Sequence, residues 1–163
     1  MTTTATAPAP TSTNVGMAQI AYLTAGEVAR TVLGSCIGLA LFHPRKQTAA
    51  FAHIVLPTCG GRSGPPGKFA DTALPAMLEQ LALRGVSKIG LVAKLAGGAN
   101  MFGGSGPIQI GEANHAAVLE LLAAAGIPVV GEHVGGTSGR RVAFDGATRD
   151  FTVEIAAGSP VVI

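Results

Sequence analysis

The run Cys36-Ile37-Gly38-Leu39-Ala40-Leu41-Phe42 decides how this chain is read, together with the run Thr48-Ala49-Ala50-Phe51-Ala52-His53-Ile54-Val55-Leu56. Both are apolar and of strand length. Between them lies His43-Pro44-Arg45-Lys46-Gln47, polar and proline-bearing, which is a turn. The three pieces predict an antiparallel hairpin. A loop centred on Arg45 and Lys46 sets His53 opposite Gly38 and makes Cys36 its diagonal neighbour on the same face. Diagonal neighbours sit roughly 7–8 Å apart along the backbone. Gly38 has no side chain and leaves the space between sulfur and ring open. The arrangement depends on register, because a loop one residue longer or shorter puts Cys36 and His53 on opposite faces.

Upstream of the hairpin, Met17–Leu23 and Glu27–Leu33 are predicted strands around the turn Thr24-Ala25-Gly26. The second ends close to Cys36 and carries Thr31. Residues 1–16 hold Thr, Ala, Pro and Ser with no charge and almost no large apolar side chain. Such a segment has little to bury, which predicts a disordered tail ahead of one domain over residues 17–163. Neither the basic start nor the apolar core of a secretory signal is present there.

Downstream, residues 57–68 form a loop rich in Gly, Pro and Ser that holds Cys59, Arg62 and Lys68. Leu74, Met77, Leu78 and Leu81 have helical spacing, with Pro75 near the start and Arg84-Gly85 as a stop. Lys88–Leu95 alternates as a strand, with Ile89, Leu91, Ala93 and Leu95 on one side. Gly97–Gly106 is glycine-rich but lacks the Lys-Ser/Thr ending of a phosphate loop. It is read as an active-site or docking loop, in which Gly98, Met101 and Phe102 are candidate contacts. Met101 and Phe102 are equally placed to plug the core. A second helix is predicted over Glu112–Ala125, with Val118, Leu121 and Leu122 inward and Gly126 as its C-cap. Ile127–Val134 is a strand. Val142–Phe144 and Phe151–Ile155 flank Asp145-Gly146 as a last hairpin. Arg140 and Arg141, ahead of it, are either solvated surface or contacts for acidic residues of a partner.

Strands and helices in this order predict an α+β fold, a single domain of mixed, largely antiparallel β-sheets with two helices packed against them. The 163 residues are enough for one substantial core. Only 12% are charged, and the mean hydropathy is +0.46. No uninterrupted apolar run reaches the roughly 18 residues that a spanning helix needs, so no membrane insertion is expected. A net charge of +2 does not argue for nucleic acid. The four histidines are scattered and there is no Cys-x-x-Cys, so no metal is expected, and thiol chemistry at Cys36 and His53 requires no cofactor. Two cysteines without an evident partner favour the cytoplasm, although a Cys36–Cys59 disulfide is the alternative use of the pair.

A thiol beside an imidazole is the smallest apparatus for covalent acyl transfer, since the thiolate is the nucleophile and a base must generate it. Gly34-Ser35 before Cys36 predicts a tight bend whose backbone N–H groups, at Ser35 and Cys36, can face an oxyanion. The plainer alternative makes Cys36 a small buried hydrophobe and His53 a satisfied core histidine. Taken alone, one Cys and one His favour that alternative.

Longer blocks shift the balance. Leu33-Gly34-Ser35-Cys36-Ile37 and Ala52-His53-Ile54-Val55-Leu56-Pro57 resemble the chemoreceptor glutamine deamidase family, CheD. The likeness continues through Gly67-Lys68-Phe69-Ala70-Asp71-Thr72-Ala73 and Ala96-Gly97-Gly98-Ala99-Asn100-Met101-Phe102. It returns at Ile110-Gly111-Glu112-Ala113-Asn114 and Gly135-Gly136-Thr137-Ser138-Gly139-Arg140-Arg141-Val142. The resemblance implies hydrolysis of glutamine side chains on the cytoplasmic domains of chemotaxis receptors, by a Cys–His–Thr arrangement. It implies as a further partner a chemotaxis phosphatase of the CheC type, and an adaptor for that phosphatase is the rival reading. Carried over, the nucleophile is Cys36 and the base His53. The family's threonine falls on position 30 in some members, which here is Arg30, and Thr31 is the neighbouring candidate. Ala113 stands where many members carry Arg.

Overall fold

The structure, a computed structural model, describes residues 5–102 and 109–163. The chain runs β1 (Thr11–Asn14), β2 (Ile20–Leu23), β3 (Glu27–Leu33), β4 (Ile37–Phe42) and β5 (Ala49–Ile54), then a short 3-10 turn (Pro66–Lys68). It continues α1 (Ala70–Leu83), β6 (Val92–Gly97), α2 (Ile110–Ala124), β7 (Val129–Val134), β8 (Arg140–Asp145), β9 (Phe151–Ile155) and β10 (Val161–Val162). The strands form two sheets, ordered β1-β3-β8-β9-β10 and β2-β5-β4-β6-β7. Pairing is antiparallel except between β1 and β3 and between β6 and β7. The fold is the α+β arrangement expected, with mixed and mainly antiparallel sheets. No helix among the described residues is long and apolar enough to cross a membrane.

Three layers result, and the alternation of the central strands assigns each side chain to one of two cores. Ile37, Leu39 and Leu41 of β4 and Ala50, Ala52 and Ile54 of β5 face the helices, where they meet Leu74, Met77, Leu81, Val118 and Leu122. Ala40 and Phe42 of β4 and Ala49 and Phe51 of β5 face the other sheet, where they meet Leu33, Val142, Phe144 and Phe151. Every residue of β4 and β5 is buried, since both faces are covered. These strands therefore show a continuous apolar run instead of alternation. Phe51, Phe144 and Phe151 form edge-to-face and stacked pairs at centroid distances of 5.8–6.4 Å, which tie the two sheets together.

Five sequence expectations are corrected. Thr11–Asn14, assigned to a disordered tail through residue 16, is a strand pairing in parallel with Glu27–Arg30 of β3. Its side chains are exposed, so what holds it is main-chain pairing, Arg30 Nε donating to Ser12 Oγ at 2.9 Å, and Val15, which is buried. Composition registers none of these. The strand expected over Met17–Leu23 begins at Ile20, and the two strands that flank Thr24-Ala25-Gly26 lie in different sheets, β2 beside β5 and β3 beside β8. The strand expected over Lys88–Leu95 begins at Val92, and Ile89 is exposed on the approach to it. Arg140 is buried rather than displayed. Its guanidinium donates to the His133 carbonyl at 2.7 Å, to the His133 ring at 2.8 Å and to the Gly135 carbonyl, and so staples residues 133–140 into a knot. Arg141, the next residue, faces solvent. Pro75 sits inside α1 on the exposed side, where its missing N–H leaves the core face untouched.

Candidate active site

The hairpin register places the candidate nucleophile and base. Gly38 is paired with His53 and Ile37 with Ile54, so Cys36, one residue before β4, is the diagonal neighbour of His53 on the face turned to the second sheet. A Cβ on Gly38 would lie 3.0 Å from both Leu33 Cδ1 and Phe51 Cζ, and the glycine makes room for those two side chains beside the pair. Cys36 keeps 9% of its surface and His53 4%. Both cysteines are free, which leaves the disulfide alternative unrealised.

Thr31 projects from β3 across the gap between the sheets, and its Oγ1 lies 2.9 Å from His53 Nδ1. The Val15 carbonyl lies 3.2 Å from the same nitrogen. A carbonyl can only accept, so Nδ1 carries the proton, and Nε2 is left as the basic nitrogen. Nε2 makes no hydrogen bond with the described residues. A base that acts on a thiol commonly closes to hydrogen-bond distance only once substrate is bound. Arg30, the residue at the position the resemblance points to for threonine, faces solvent on the outer side of β3. Side chains alternate across a strand, and only the odd-numbered neighbour, Thr31, faces His53.

Burial sets the resting protonation. It pushes the Cys36 thiol above its ordinary value of 9.0. It pushes the His53 imidazole below 6.5, partly opposed by the Val15 hydrogen bond. The free site at neutral pH thus holds a neutral thiol and a neutral imidazole, rather than a preformed thiolate with its pKa lowered by the histidine. The same shifts predict a stability window. Below about pH 6.5 the unfolded chain takes up the His53 proton first, so stability falls on acidification through that range. Above about pH 9.0 the unfolded chain releases the Cys36 proton first, so stability falls there too. Thermal melts across pH should show a plateau between these limits. Cys36→Ala should lose the decline that begins near pH 9.0 while keeping the acid one and the later alkaline decline from Tyr22, whose phenol is also held above its ordinary 10.0 by burial.

The bend that carries Cys36 is framed from the side. Gly98 N–H donates to the Cys36 carbonyl at 2.9 Å, and Ala99 N–H donates to the Gly34 carbonyl at 3.0 Å. Gly97 has φ of +113°, and a Cβ there would sit 2.1 Å from the Cys36 carbonyl oxygen, so only glycine lets these backbones meet. Gly98 is thus buried framework. Met101 and Phe102, from the same loop, are exposed, Phe102 by 95%. A Cβ on Gly34 would lie 3.2 Å from Met101 Cγ, which places Met101 against the bend before Cys36. Residues 103–106 of the glycine-rich loop fall outside the described residues. Ala113 is on the exposed side of α2.

Two contributors escaped sequence reasoning. Val15 acts through its carbonyl, which no residue type announces. Asn114, fully buried on α2, donates both Nδ2 hydrogens, to the Ser35 carbonyl at 3.0 Å and the Val55 carbonyl at 2.9 Å. A buried polar residue on an otherwise apolar helix face was the signal for it.

Residues 55–155 match the family model described as CheD chemotactic sensory transduction. The chain belongs to the CheD family. A probable chemoreceptor glutamine deamidase CheD of Desulfitobacterium hafniense is 41% identical over 145 residues, covering 86% of this chain and 91% of that protein. A relative of the same description from Natronomonas pharaonis is 39% identical, with 88% of each chain covered. The chemoreceptor glutamine deamidase CheD of Halalkalibacterium halodurans is 38% identical, covering 85% of this chain and 90% of its own. All three relatives are matched over most of their length.

Proposed function

We propose that this CheD protein hydrolyses glutamine side-chain amides on chemotaxis receptors, turning them into glutamates, with Cys36 as nucleophile and His53 as base. The observation that supports the reading is the buried contact of Thr31 Oγ1 with His53 Nδ1 beside Cys36, the diagonal neighbour of His53 in the hairpin register, with the His53 tautomer leaving Nε2 to take a proton. His53 Nε2 accepts the Cys36 thiol proton as sulfur attacks the amide carbon, and the carbonyl electrons move to oxygen. When the carbonyl re-forms, the C–N bond breaks, and the imidazolium gives its proton to the departing ammonia. A thioester remains on Cys36. Water, deprotonated by His53, hydrolyses it to glutamate and restores the thiol. Val15 and Thr31 hold the ring through Nδ1, the orienting role a third group plays in such hydrolases. The N–H groups of Ser35 and Cys36 take the oxyanion. The substrate glutamines belong to cytoplasmic receptor domains, and two free cysteines fit the reducing compartment where those domains lie.

The test is mass spectrometry of receptor cytoplasmic domains incubated with the protein. A gain of roughly one dalton at particular glutamines, with ammonia released in equal amount, is the expected result. Unmodified glutamines across the receptors of the source organism would sink the reading.

One observation favours a docking role beside catalysis. Phe102 is almost wholly exposed and next to the half-exposed Met101, at the rim of the nucleophile's bend. Exposed aromatic and Met side chains are preferred anchors of interfaces. The partner proposed for them is a phosphatase of the CheC type. Phe102→Ala should weaken that binding at least about tenfold, as loss of a buried aromatic anchor does. Unchanged binding, read by titration calorimetry, would remove Phe102 from the interface.

A further inference from the structure

Three successive carbonyls around the nucleophile are held from outside the bend. Ala99 N–H takes that of Gly34 at 3.0 Å, Asn114 Nδ2 takes that of Ser35 at 3.0 Å, and Gly98 N–H takes that of Cys36 at 2.9 Å. In a trans peptide the C=O and N–H point in opposite directions. Fixing the Ser35 carbonyl toward Asn114 therefore turns the Cys36 N–H away from it. Among the described residues, no acceptor meets the N–H of Ser35 or Cys36. Two of the three clamps are main-chain bonds. The third comes from a side chain, and it holds the very peptide that carries the Cys36 N–H.

Asn114 has the marks of a residue kept for this contact. Both its neighbours are carbonyl oxygens, so the NH2 end must face them. Its Oδ1 is buried without a hydrogen-bond partner, a desolvation cost that an apolar residue would avoid. Its second hydrogen goes to the Val55 carbonyl, just past His53. One amide thus spans the nucleophile's bend and the strand of the base. Gly111, one turn earlier, lets α2 come this close, because a Cβ there would sit 2.5 Å from the Ala99 carbonyl oxygen.

We infer that Asn114 is a positioning residue for catalysis, locking the Ser35–Cys36 peptide so that the Cys36 N–H is aimed in advance at the oxyanion. The inference rests on Cys36 as the nucleophile. In the step concerned, the C–S bond forms, the amide carbonyl's π pair moves to oxygen, and the thiol proton passes to His53. The new negative charge is met by a donor that needs no reorganisation. Without Asn114 the peptide is free to tilt, and the donor is lost when charge develops while the thiol itself stays in place.

Asn114→Ala removes the clamp, and Asn114→Leu removes it while filling the volume. Both should lower kcat about 10–100-fold, a displaced donor costing somewhat less than a deleted one. KM should stay within about threefold. Alkylation of Cys36 by iodoacetamide is a displacement at a saturated carbon, develops no oxyanion, and should change by less than about twofold. A merely structural role for Asn114 would slow alkylation and kcat together, and that result overturns the inference, as does an unchanged kcat. The wild-type protein supplies a check that needs no variant. A receptor peptide with an aldehyde in place of the glutamine carboxamide adds to Cys36 as a hemithioacetal, and the Cys36 amide proton should move downfield in NMR spectra. An unmoved Cys36 amide proton overturns the inference whatever the variants do. Deamidation persisting in Cys36→Ala would instead refute the catalytic reading itself. An inactive Cys36→Ala beside a fully active Asn114→Leu would refute only the positioning role.

Discussion

Cys36→Ala and His53→Ala should each bring deamidation of receptor glutamines to background, a fall of at least about 10⁴-fold, with the double variant no worse than either single one. The non-additivity follows from the proposed chemistry. Burial holds the Cys36 thiol neutral, so the sulfur becomes nucleophilic only as His53 removes its proton. Once either partner is gone, the other has nothing to do. Additive losses would mean two separate roles. Both single variants should fold. Cys36 contributes little volume, and the polar contacts of the His53 ring are the two that Nδ1 makes with Thr31 Oγ1 and the Val15 carbonyl. Initial rates of ammonia release, with melting curves as the control for folding, decide the matter. If Cys36→Ala costs several kcal/mol of stability and leaves the rate alone, Cys36 is a packed core residue and nothing more.

Shortening the N-terminus should have a sharp boundary. Removing residues 1–10 should leave stability within about 0.5 kcal/mol and activity unchanged, because residues 5–10 are exposed and outside any strand. Removing residues 1–15 should cost about 2–4 kcal/mol, because it strips β1 from the edge of β3 and uncovers the site of Val15, whose burial alone is worth about 1.5–3 kcal/mol. Activity should drop about tenfold or more besides, since the Val15 carbonyl is one of two groups that hold His53 Nδ1, and losing a buried partner of this kind costs about 1–3 kcal/mol. Urea titrations and initial rates on the two truncations measure both effects. Identical behaviour of the two proteins would show that β1 is dispensable.

The outcome for the candidate site separates what residue types reveal from what they cannot. The pairing of Gly38 with His53 was legible, because a polar turn between two apolar runs has a centre, and the centre dictates the register. With the register comes the shared face of Cys36 and His53. The approach of Thr31 was not legible from strand pattern alone. β3 lies in the other sheet, and its contact with His53 crosses the interior of the sandwich. Similarly, the main-chain hydrogen bonds to the bend come from Gly98 and Ala99, where Gly97 and Gly98 permit a positive φ, but which carbonyl each N–H would meet is a property of three-dimensional placement.

Amino-acid order by itself determined the hairpin, the two helices and their apolar faces, and the α+β class, because hydrophobic period and turn residues act over a few neighbours along the chain. Only the tertiary structure decided that β1 is a strand, that β2 and β3 part into different sheets, and that Arg140 is buried. It alone placed Val15 and Asn114 at the site. In each of these cases the partner is a backbone carbonyl or N–H, often distant in sequence. Main-chain groups are nearly the same at every residue, so the sequence carries no mark of which of them will meet.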